Sequence, residues 1–264
     1  MKLSVIMPVY NVEKTFSIAL DSVLMQDVDF DYEIIIVDDG STDSTPQIIK
    51  EYSKKYPQIK LITNDHNKGL ASAFYDALCA SKGDYYCVLD GDDYYTVRSK
   101  LKRQVDFLDS DKEEMYAAVA HKYFLLNEDG LICNEPILFS NVTEYSYHHF
   151  LRGIFYYHTS AYMYRNTFRG NVPQCFKLPL YEGDTPRTFL HLSKTKGKVK
   201  VLNFVGSVYR YNGEGIWSKL SFQERAQANI DMYSAFREKL ETEEEKKIIE
   251  EGSIAKYEKI KKKW

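Results

Sequence analysis

The sequence predicts an α/β fold in which a mostly parallel central sheet is flanked by helices. Short apolar, β-branched runs alternate with helical patterns over the first ninety residues. The helical segments carry apolar residues at three- and four-residue spacing. Polar motifs follow the apolar runs and do not interrupt them. Because ligands of parallel α/β sheets bind beyond the carboxyl ends of the strands, these motifs are the candidate functional residues.

The predicted elements of this half follow in a regular order. The first apolar run closes at Pro8 and the turn formers Tyr10 and Asn11. Segment 41–44 offers several N-cap oxygens for the second helix. The series is strand Leu3–Val9, helix Thr15–Gln26, strand Tyr32–Val37, a helix to about Tyr56, strand Ile59–Thr63, a helix to about Ser81 and strand Tyr85–Leu89.

After about residue 110 the pattern is looser. We predict strands at Tyr116–Leu126, Ile132–Phe139 and Val199–Tyr211, and a helical segment near Thr188–Leu192. From Ser221 the composition turns to Glu, Lys, Ala and Gln, which is typical of helices. We therefore expect one domain over residues 1–220 and a C-terminal helical extension over residues 221–264.

Composition and charge exclude several classes of protein. The 264 residues carry 35 basic and 38 acidic side chains, a net charge of −3, which argues against nonspecific nucleic-acid binding. The four cysteines are far apart and form neither a C-x-x-C pair nor a zinc-ligand pattern. No apolar run has the length of a membrane span, and the short run after Lys2 is not typical of a signal peptide. We expect a soluble, cytoplasmic protein.

The strongest chemical signal is the acidic stretch at the end of the fourth predicted strand. Asp90, Asp92 and Asp93 follow the apolar residues Val88 and Leu89. Carboxylates crowded at a strand end repel one another unless a cation lies among them, and such ligands suit Mg²⁺ or Mn²⁺. The alternative is a solvated turn in which Asp and Gly reverse the chain.

Four motifs in register identify a family resemblance. They are Pro8-Val9-Tyr10-Asn11, Val37-Asp38-Asp39-Gly40-Ser41-Thr42-Asp43, Asn67-Lys68-Gly69 and Asp90-Gly91-Asp92-Asp93. Together they resemble the inverting family 2 glycosyltransferases, which have the Rossmann-like GT-A fold, and in particular members of bacterial polysaccharide synthesis. The resemblance is strong over residues 1–110, which we call the donor half, and moderate over 180–220, within the acceptor half at 111–220.

The resemblance implies a nucleotide-sugar site in the donor half. Asp39 would accept a hydrogen bond from a uracil imide N–H, and Pro8 and Tyr10 would wall the base pocket. Asp92 would bind the metal ion, while Asp90, with Gly91, would face the ribose or a metal-bound water. Two alternatives remain open: Asp38-Asp39 as an Asx turn that caps the next helix, and Pro8 and Tyr10 as simple strand terminators.

The catalytic base is expected in the acceptor half. Tyr181-Glu182-Gly183-Asp184 resembles the acidic motif of the family, in which an Asp deprotonates the acceptor hydroxyl. Asp184 is the first candidate and Glu182 the second, because the intervening glycine departs from the family pattern. The alternative is an acidic turn in which Asp184 caps the following helix.

A later segment resembles the loop that closes over the donor in many relatives. Arg210 would meet a phosphate with its fork of donors. Trp217 would form a lid or an acceptor platform, although ordinary core packing is an equally open interpretation. His158, ahead of Thr159 and Ser160, is a further candidate for the acceptor site. Tyr75 stands near a position where relatives carry Asn, a second departure from the pattern.

These features imply a metal-dependent inverting transfer of a sugar from a UDP-sugar to the hydroxyl of a glycan or lipid-linked acceptor, in cell-surface polysaccharide or glycolipid synthesis. Mg²⁺ or Mn²⁺ would be the cofactor. For Lys261–Lys263 with Trp264 two interpretations stay open: a peripheral contact at the inner face of a membrane, and a solvated helix end, which the acidic run Glu241–Glu251 favours. Two other functions stay open: a nucleotide-sugar-binding module without turnover, and a nucleotidyltransferase, although Pro8–Asn11 stands where the latter needs a glycine-rich loop.

Overall fold

The computed structural model describes residues 1–127, 129–134, 143–155, 158–178, 183–211 and 219–263; only the backbone is described for 132–134. Ten strands within these ranges form one sheet with the path β3-β2-β1-β4-β9-β6-β10-β5, to which β7 and β8 add at β6 and β10. The strands are β1 (Leu3–Val9), β2 (Tyr32–Asp38), β3 (Ile59–Thr63), β4 (Tyr85–Val88), β5 (Tyr94–Tyr95), β6 (Tyr116–Asn127), β7 (Gly130–Asn134), β8 (Glu144–Ser146), β9 (Met163–Arg165) and β10 (Lys198–Arg210).

Helices cover both faces of this sheet. They are α1 (Phe16–Leu24), α2 (Thr45–Lys55), α3 (Leu70–Ala80), α4 (Lys100–Ser110), α5 (Tyr147–Leu151), α6 (Asp184–Thr195), α7 (Phe222–Glu238), α8 (Glu243–Ile249) and α9 (Ala255–Lys263). Short 3₁₀ turns occupy Thr159–Ala161 and Gln174–Lys177, and a π-helical turn at Glu250–Ile254 joins α8 to α9.

The donor half is a parallel α/β unit, as predicted. β1 pairs in parallel with β2 on one side and β4 on the other, and β2 pairs in parallel with β3. All seven residues of β1 are buried, which is typical of a parallel strand covered on both faces. The carboxyl ends of β1, β2 and β4 therefore meet at one edge of the sheet.

Pro8 lies inside β1 at the position where a missing N–H does least harm. The last pair that β1 forms with β4 is Ile6 with Val88, and the Leu89 amide donates to the Ile6 carbonyl. Because alternate residues of a strand point their amides to the same neighbour, the N–H that Pro8 lacks would face β4 beyond this ladder. β1 keeps its pairing to β2 through Val9 and Asp38.

The acceptor half continues the sheet with both strand directions. β9 is antiparallel to β4 and to β6, whereas β10 runs parallel to β6 over most of its length. The antiparallel β5 brings the segment that follows the acidic motif against the carboxyl-terminal part of β10, at Ser207 and Val208. The expected GT-A-type fold, with a mostly parallel central sheet, is confirmed.

Two apolar cores lie on opposite faces of the sheet, because alternate residues of β1 point to opposite sides. Leu3, Val5 and Met7 pack with α1 and α4, while Ile6 packs with α3, α5, α6 and α7. The second core is rich in aromatic rings, including Phe189 and Phe236 with centroids 4.0 Å apart.

The C-terminal helices contribute to that aromatic core. Met232, Tyr233 and Phe236 of α7 are buried in it. Lys196 forms a 2.7 Å ion pair with Glu245 of α8. These contacts support the proposal that residues 221–264 form a helical extension docked on the acceptor half. None of the helices in the described ranges combines the length and apolar character that crossing a bilayer requires.

Gly40 lies at the edge of the sheet where the carboxyl ends of β1, β2 and β4 meet, which we call the donor edge, and it tests how closely the chain packs there. Its φ is +74°, and a Cβ at this position would come within 2.6 Å of the His66 carbonyl carbon. Gly170 has a similar φ of +78° but open space around it. We expect Gly170→Ala to cost about 1–2 kcal/mol through the left-handed backbone alone, and Gly40→Ala to cost at least about 1 kcal/mol more, since backbone must also move.

Chemical denaturation of both variants checks this prediction. Equal destabilisation by the two substitutions would show that the close approach of residues 40 and 66 is not a constraint on the fold.

Candidate functional site

The carboxylate of Asp39 is the most heavily hydrogen-bonded group at the donor edge. Asp39 follows β2 and is 3% exposed. Its Oδ1 accepts from Asn64 Nδ2 at 2.7 Å, and its Oδ2 accepts from the Gly69 amide at 2.8 Å. The Lys68 amide lies within 3.1 Å of both oxygens. The motif Asn67-Lys68-Gly69 therefore orients Asp39 at the start of α3.

The neighbouring Asp38 makes the turn. Its Oδ1 accepts from the amide of Ser41, three residues later, at 3.0 Å, which is one residue further than in an Asx turn. Asp39 is not needed for that turn, and α2 begins after Ser44 without a side-chain cap. The alternative of an Asx turn that caps the next helix is therefore not what the structure shows: Asp38 holds this turn, and the carboxylate of Asp39 accepts from Asn64 and Gly69 instead.

The predicted walls of the base pocket lie beside Asp39. Pro8 is buried in β1, and Tyr10, one residue past the strand, is 45% exposed. The Asp39 amide donates to the Val9 carbonyl at 2.9 Å, so the ends of β1 and β2 are held together. Asn11, at a φ of +51°, accepts from the Thr42 amide at 2.8 Å. The structure thus brings three predicted donor-site residues, Pro8, Tyr10 and Asp39, to one edge.

The acid loop, Asp90–Asp93, follows β4 at the same edge. Gly91 is packed so closely that a Cβ would lie 2.9 Å from a methyl group of Val12. The Asp93 amide donates to the Asp90 carbonyl, which makes the loop a tight turn. Asp93 does not cap a helix, because β5 follows the acid loop and α4 begins only after Ser99.

Arg210, the last residue of β10, clamps the acid loop. Its main-chain amide donates to Asp93 Oδ1 at 3.0 Å, and its Nε donates to the Asp92 carbonyl at 2.9 Å. The guanidinium also lies 5.4 Å from the centre of the Tyr94 ring. Sequence analysis assigned Arg210 to a phosphate; the structure places it beside the acids, and phosphate contact stays a prediction.

A histidine from the acceptor half completes the acid loop. His158 Nδ1 lies 3.2 Å from Asp93 Oδ2, and its ring stacks on Tyr209 with centroids 4.0 Å apart. The Ser160 amide donates to the same Nδ1 at 3.4 Å, a contact that corresponds to the tautomer with its proton on Nε2, in which Nδ1 is an acceptor. Ligand atoms of Asp90, Asp93 and His158 all lie within 4.8 Å of one another.

The electrostatics of this cluster are dominated by burial. Burial, and then the charges of Asp90 and Asp92, raise the pKa of Asp93 well above its usual range. Burial also raises the pKa of Asp92, an effect that the Arg210 charge opposes. Burial, followed by the charge of Arg187, lowers the pKa of His158 to about 3. His158 is therefore a neutral imidazole at physiological pH.

These residues fit a metal ion. Asp93 Oδ2 is buried without a hydrogen-bond partner and faces an imidazole nitrogen that is itself an acceptor. Two acceptors at 3.2 Å repel each other unless a proton or a cation lies between them. Carboxylates and a neutral imidazole are suitable ligands for a divalent metal such as Mn²⁺. The predicted ligand Asp92 is not part of this three-residue group, and its role as metal ligand stays a prediction.

Asp184 is the first residue of α6. The residue before it, Gly183, has a φ of +92° and is the N-cap, and no side chain caps this helix. The alternative in which Asp184 caps the helix is therefore not what the structure shows. Burial raises the pKa of Asp184, and the charge of Arg187, three residues later, opposes this. A carboxyl with a raised pKa beside a cation is suited to accept a proton.

Two predicted residues and one cation remain to be placed. Glu182 and Trp217 lie outside the described residues. Arg187 was missed by sequence analysis, although its charge lowers the pKa of both Asp184 and His158. A lone arginine in a helical pattern carries no spacing signal, so only the fold reveals its position.

Comparison with known proteins gives the family. The model named "Glycosyl transferase family 2" matches residues 4–168, which is more than half of the chain. The chain belongs to this family. The matched residues include Asp39, the acid loop and nearly all of β1 to β4. Asp184 and Arg210 lie beyond the matched residues.

The chain is also similar to specific family 2 members and solved structures. It is 32% identical over 223 residues to an uncharacterised protein of Mycobacterium tuberculosis, a match that covers 81% of this chain and 60% of that protein. The chain thus spans about three fifths of that relative.

Two solved structures share the fold. The 1–349 fragment of Staphylococcus aureus TarS in complex with UDP-GlcNAc superposes with a TM-score of 0.70 at 22% identity, over 97% of this chain and 72% of that chain. The mannosyltransferase of Pyrobaculum calidifontis, in complex with GDP-Man and Mn²⁺, has a TM-score of 0.70 at 19% identity, over 96% and 69% respectively. At these identities the likeness shows the common GT-A fold.

Two Asp→Asn substitutions in this family 2 site are expected to have opposite effects on stability. Asp39→Asn replaces one of the two acceptor oxygens by an NH₂ group, which faces N–H donors. This should lower the free energy of unfolding by about 1–3 kcal/mol. Asp93→Asn keeps the acceptor for Arg210 and supplies an N–H to His158 Nδ1. Removing that buried charge raises the free energy of unfolding by about 1–2 kcal/mol.

Melting temperatures of the two variants at neutral pH, without added metal, measure this difference. A shift of the same sign in both variants contradicts the assignment of hydrogen-bond roles given above.

Proposed function

We propose that this chain is a metal-dependent inverting glycosyltransferase that moves a sugar from a UDP-sugar to an acceptor hydroxyl. The acid loop carries the proposal: three carboxylates follow β4, and one buried carboxylate oxygen faces a neutral imidazole nitrogen across 3.2 Å. The nucleotide sugars in TarS and in the Pyrobaculum enzyme support the donor class. The Mn²⁺ in the latter supports the metal.

The donor site would be built from the ends of β1, β2 and β4. Asp39 offers the remaining acceptor capacity of its carboxylate to the imide N–H of uracil, with Pro8 and Tyr10 on either side of the base. This favours uridine, because a uracil imide is a donor that fits a carboxylate. The sugar end of the donor would then extend toward the acid loop.

Asp92 remains the predicted metal ligand, with Asp90, Asp93 and His158 as the group that the structure brings together beside it. Bound there, the ion would neutralise charge on the diphosphate as the sugar–phosphate bond breaks. Arg210 holds the acid loop in place through the Asp92 carbonyl and Asp93 Oδ1. His158 is held by Ser160 and Tyr209, so its ring is fixed before any ligand arrives.

Asp184 would be the general base. It would take the proton from the acceptor hydroxyl as the oxygen attacks the anomeric carbon from the face opposite the diphosphate, so that an α-linked donor gives a β-linked product. The acceptor is a glycan or lipid-linked hydroxyl, as the family resemblance implies, in cell-surface polysaccharide or glycolipid synthesis. A contact of Lys261–Lys263 with the inner face of a membrane belongs to this proposal.

A thermal-shift screen tests the donor site. We expect UDP to raise the melting temperature of the wild type in the presence of Mn²⁺. At a UDP concentration of one hundred times Kd, binding adds about 2.7 kcal/mol to the free energy of unfolding. GDP, CDP and dTDP serve as comparison ligands. Asp92→Ala should lose the metal-dependent part of the shift while it keeps its fold.

The screen has two contrary outcomes. A shift that does not require metal removes the metal from the proposal. No shift with any nucleotide, in a protein whose fold is intact, removes the glycosyltransferase site altogether.

The pH dependence of turnover tests Asp184. Because burial raises the pKa of Asp184, its base form is lost on acidification at a higher pH than for an ordinary Asp. On acidification, we expect kcat/KM to begin to fall at a pH above the usual pKa range of carboxyl groups. Asp184→Asn should lower kcat about 100-fold or more, with little change in nucleotide affinity.

The stability of the fold should depend on pH in the opposite direction to turnover. A raised pKa in the folded state stabilises the fold at acid pH, and this contribution is lost as pH rises through the pKa of Asp184. Asp184→Asn should therefore remove part of the fall in melting temperature that begins as pH rises above 3.8, the ordinary pKa of this carboxyl. Normal turnover by this variant would exclude Asp184 as the base, and a product with retained anomeric configuration would exclude inversion.

A further inference from the structure

Arg187 is a buried cation whose donors lack acceptors. Its side chain is 3% exposed, and its Nε and Nη1 have no hydrogen-bond partner in the described part of the chain. The guanidinium carbon lies 4.3 Å from the centre of the Phe74 ring. An arginine does not lose its proton inside a protein, so a buried guanidinium whose N–H groups lack acceptors is costly. A group that supplies oxygen acceptors would offset this cost.

The position of Arg187 connects the two halves of the site. Phe74 belongs to α3, the helix that starts at the amide bound by Asp39. On the other side, the charge of Arg187 acts on Asp184 and on His158, which touches Asp93. Arg187 thus packs on the donor half, and its charge acts on the proposed base and on the histidine beside the acid loop.

The side chains around Arg187 do not supply its acceptors. Phe74, Tyr86 and Tyr164 are aromatic, and the Tyr86 and Tyr164 hydroxyls are engaged with His191 Nε2 and Thr188 Oγ1 at 2.8 Å each. Neither Asp184 nor any other carboxylate of the described residues accepts from Nε or Nη1. A structural arginine in a protein core usually has such partners.

We propose that Arg187 binds an oxyanion on the sugar side of the donor nucleotide. The planar fork of a guanidinium matches two oxygens of a phosphate or a carboxylate. A nucleotide sugar offers this chemistry from two sources: the β-phosphate, which every donor carries, and the carboxylate of a transferred uronic acid. This inference rests on the proposed function, and it makes Arg187 a specificity-determining residue for the donor.

Isothermal titration with three ligands, in the presence of Mn²⁺, separates the two sources. The ligands are UDP, UDP-glucose and UDP-glucuronate, and the variants are Arg187→Met and Arg187→Lys. If Arg187 holds the β-phosphate, Arg187→Met weakens all three ligands about tenfold or more. If Arg187 holds a sugar carboxylate, the wild type binds UDP-glucuronate about tenfold more tightly than UDP-glucose. Arg187→Met then loses this preference and keeps its affinity for UDP and UDP-glucose. Arg187→Lys should restore part of either effect.

Lys100 provides a matched control. Like Arg187 it is a buried cation without a hydrogen-bond partner for its terminal nitrogen, and it lies 3.8 Å from the centre of the Tyr95 ring. Tyr95 belongs to the core on the opposite face of the sheet from Phe74. Both Arg187→Met and Lys100→Met should raise or preserve the melting temperature of the ligand-free protein. Only Arg187→Met should change affinity.

Three results would overturn the inference. Wild-type affinity of Arg187→Met for all three ligands would overturn it and leave the proposed function standing, since UDP still binds. A fall of many degrees in the melting temperature of both Arg187 variants would assign the arginine a structural role. Failure of the wild type to bind any of the three ligands would remove both this inference and the UDP donor.

Discussion

The contact between Arg210 and the acid loop is the interaction on which the rest of the site depends. Asp90, Asp92 and Asp93 would repel one another at the end of β4, and burial makes that repulsion stronger. Arg210 counters it with a main-chain N–H to Asp93, a side-chain N–H to the Asp92 carbonyl, and a positive charge. The partners are 117 and 118 residues apart in sequence. The acid loop is therefore completed only when both halves of the sheet have formed.

The donor half could be predicted closely from the sequence because three of its four strands, β1, β2 and β4, are buried on both faces. The observed β1 and β3 have the predicted bounds, and β2 and β4 differ from the prediction by one residue each. Continuous apolar runs bounded by turn formers leave little ambiguity. By contrast, β5 and β9 have two and three residues. Such strands exist because neighbouring strands hold them in place, and no local pattern marks them.

The functional residues divide in the same way. Asp39 and the acid loop were predicted because they belong to motifs with fixed spacing, and Asp184 because its segment resembles an acidic motif from which it departs by one glycine. His158 was predicted only as a candidate for the acceptor site, and its contact with Asp93 Oδ2 is made across the sheet. A single histidine gives no spacing signal. Proximity of this kind depends on tertiary packing, which in this chain includes β9 and the turn at Thr159–Ala161.

Asp39, which we propose as the recognition group for the base, is held rigidly by the fold in advance. Three donors from Asn64, Lys68 and Gly69 fix both of its oxygens. A free aspartate side chain would lose rotational freedom on meeting a ligand, and that loss weakens binding. Here the loss of freedom has already occurred during folding, and its cost is part of the stability of the loop at 64–69. A ligand that reaches this carboxylate therefore meets a rigid acceptor, and selectivity among bases depends on hydrogen-bond geometry and little on side-chain adaptation.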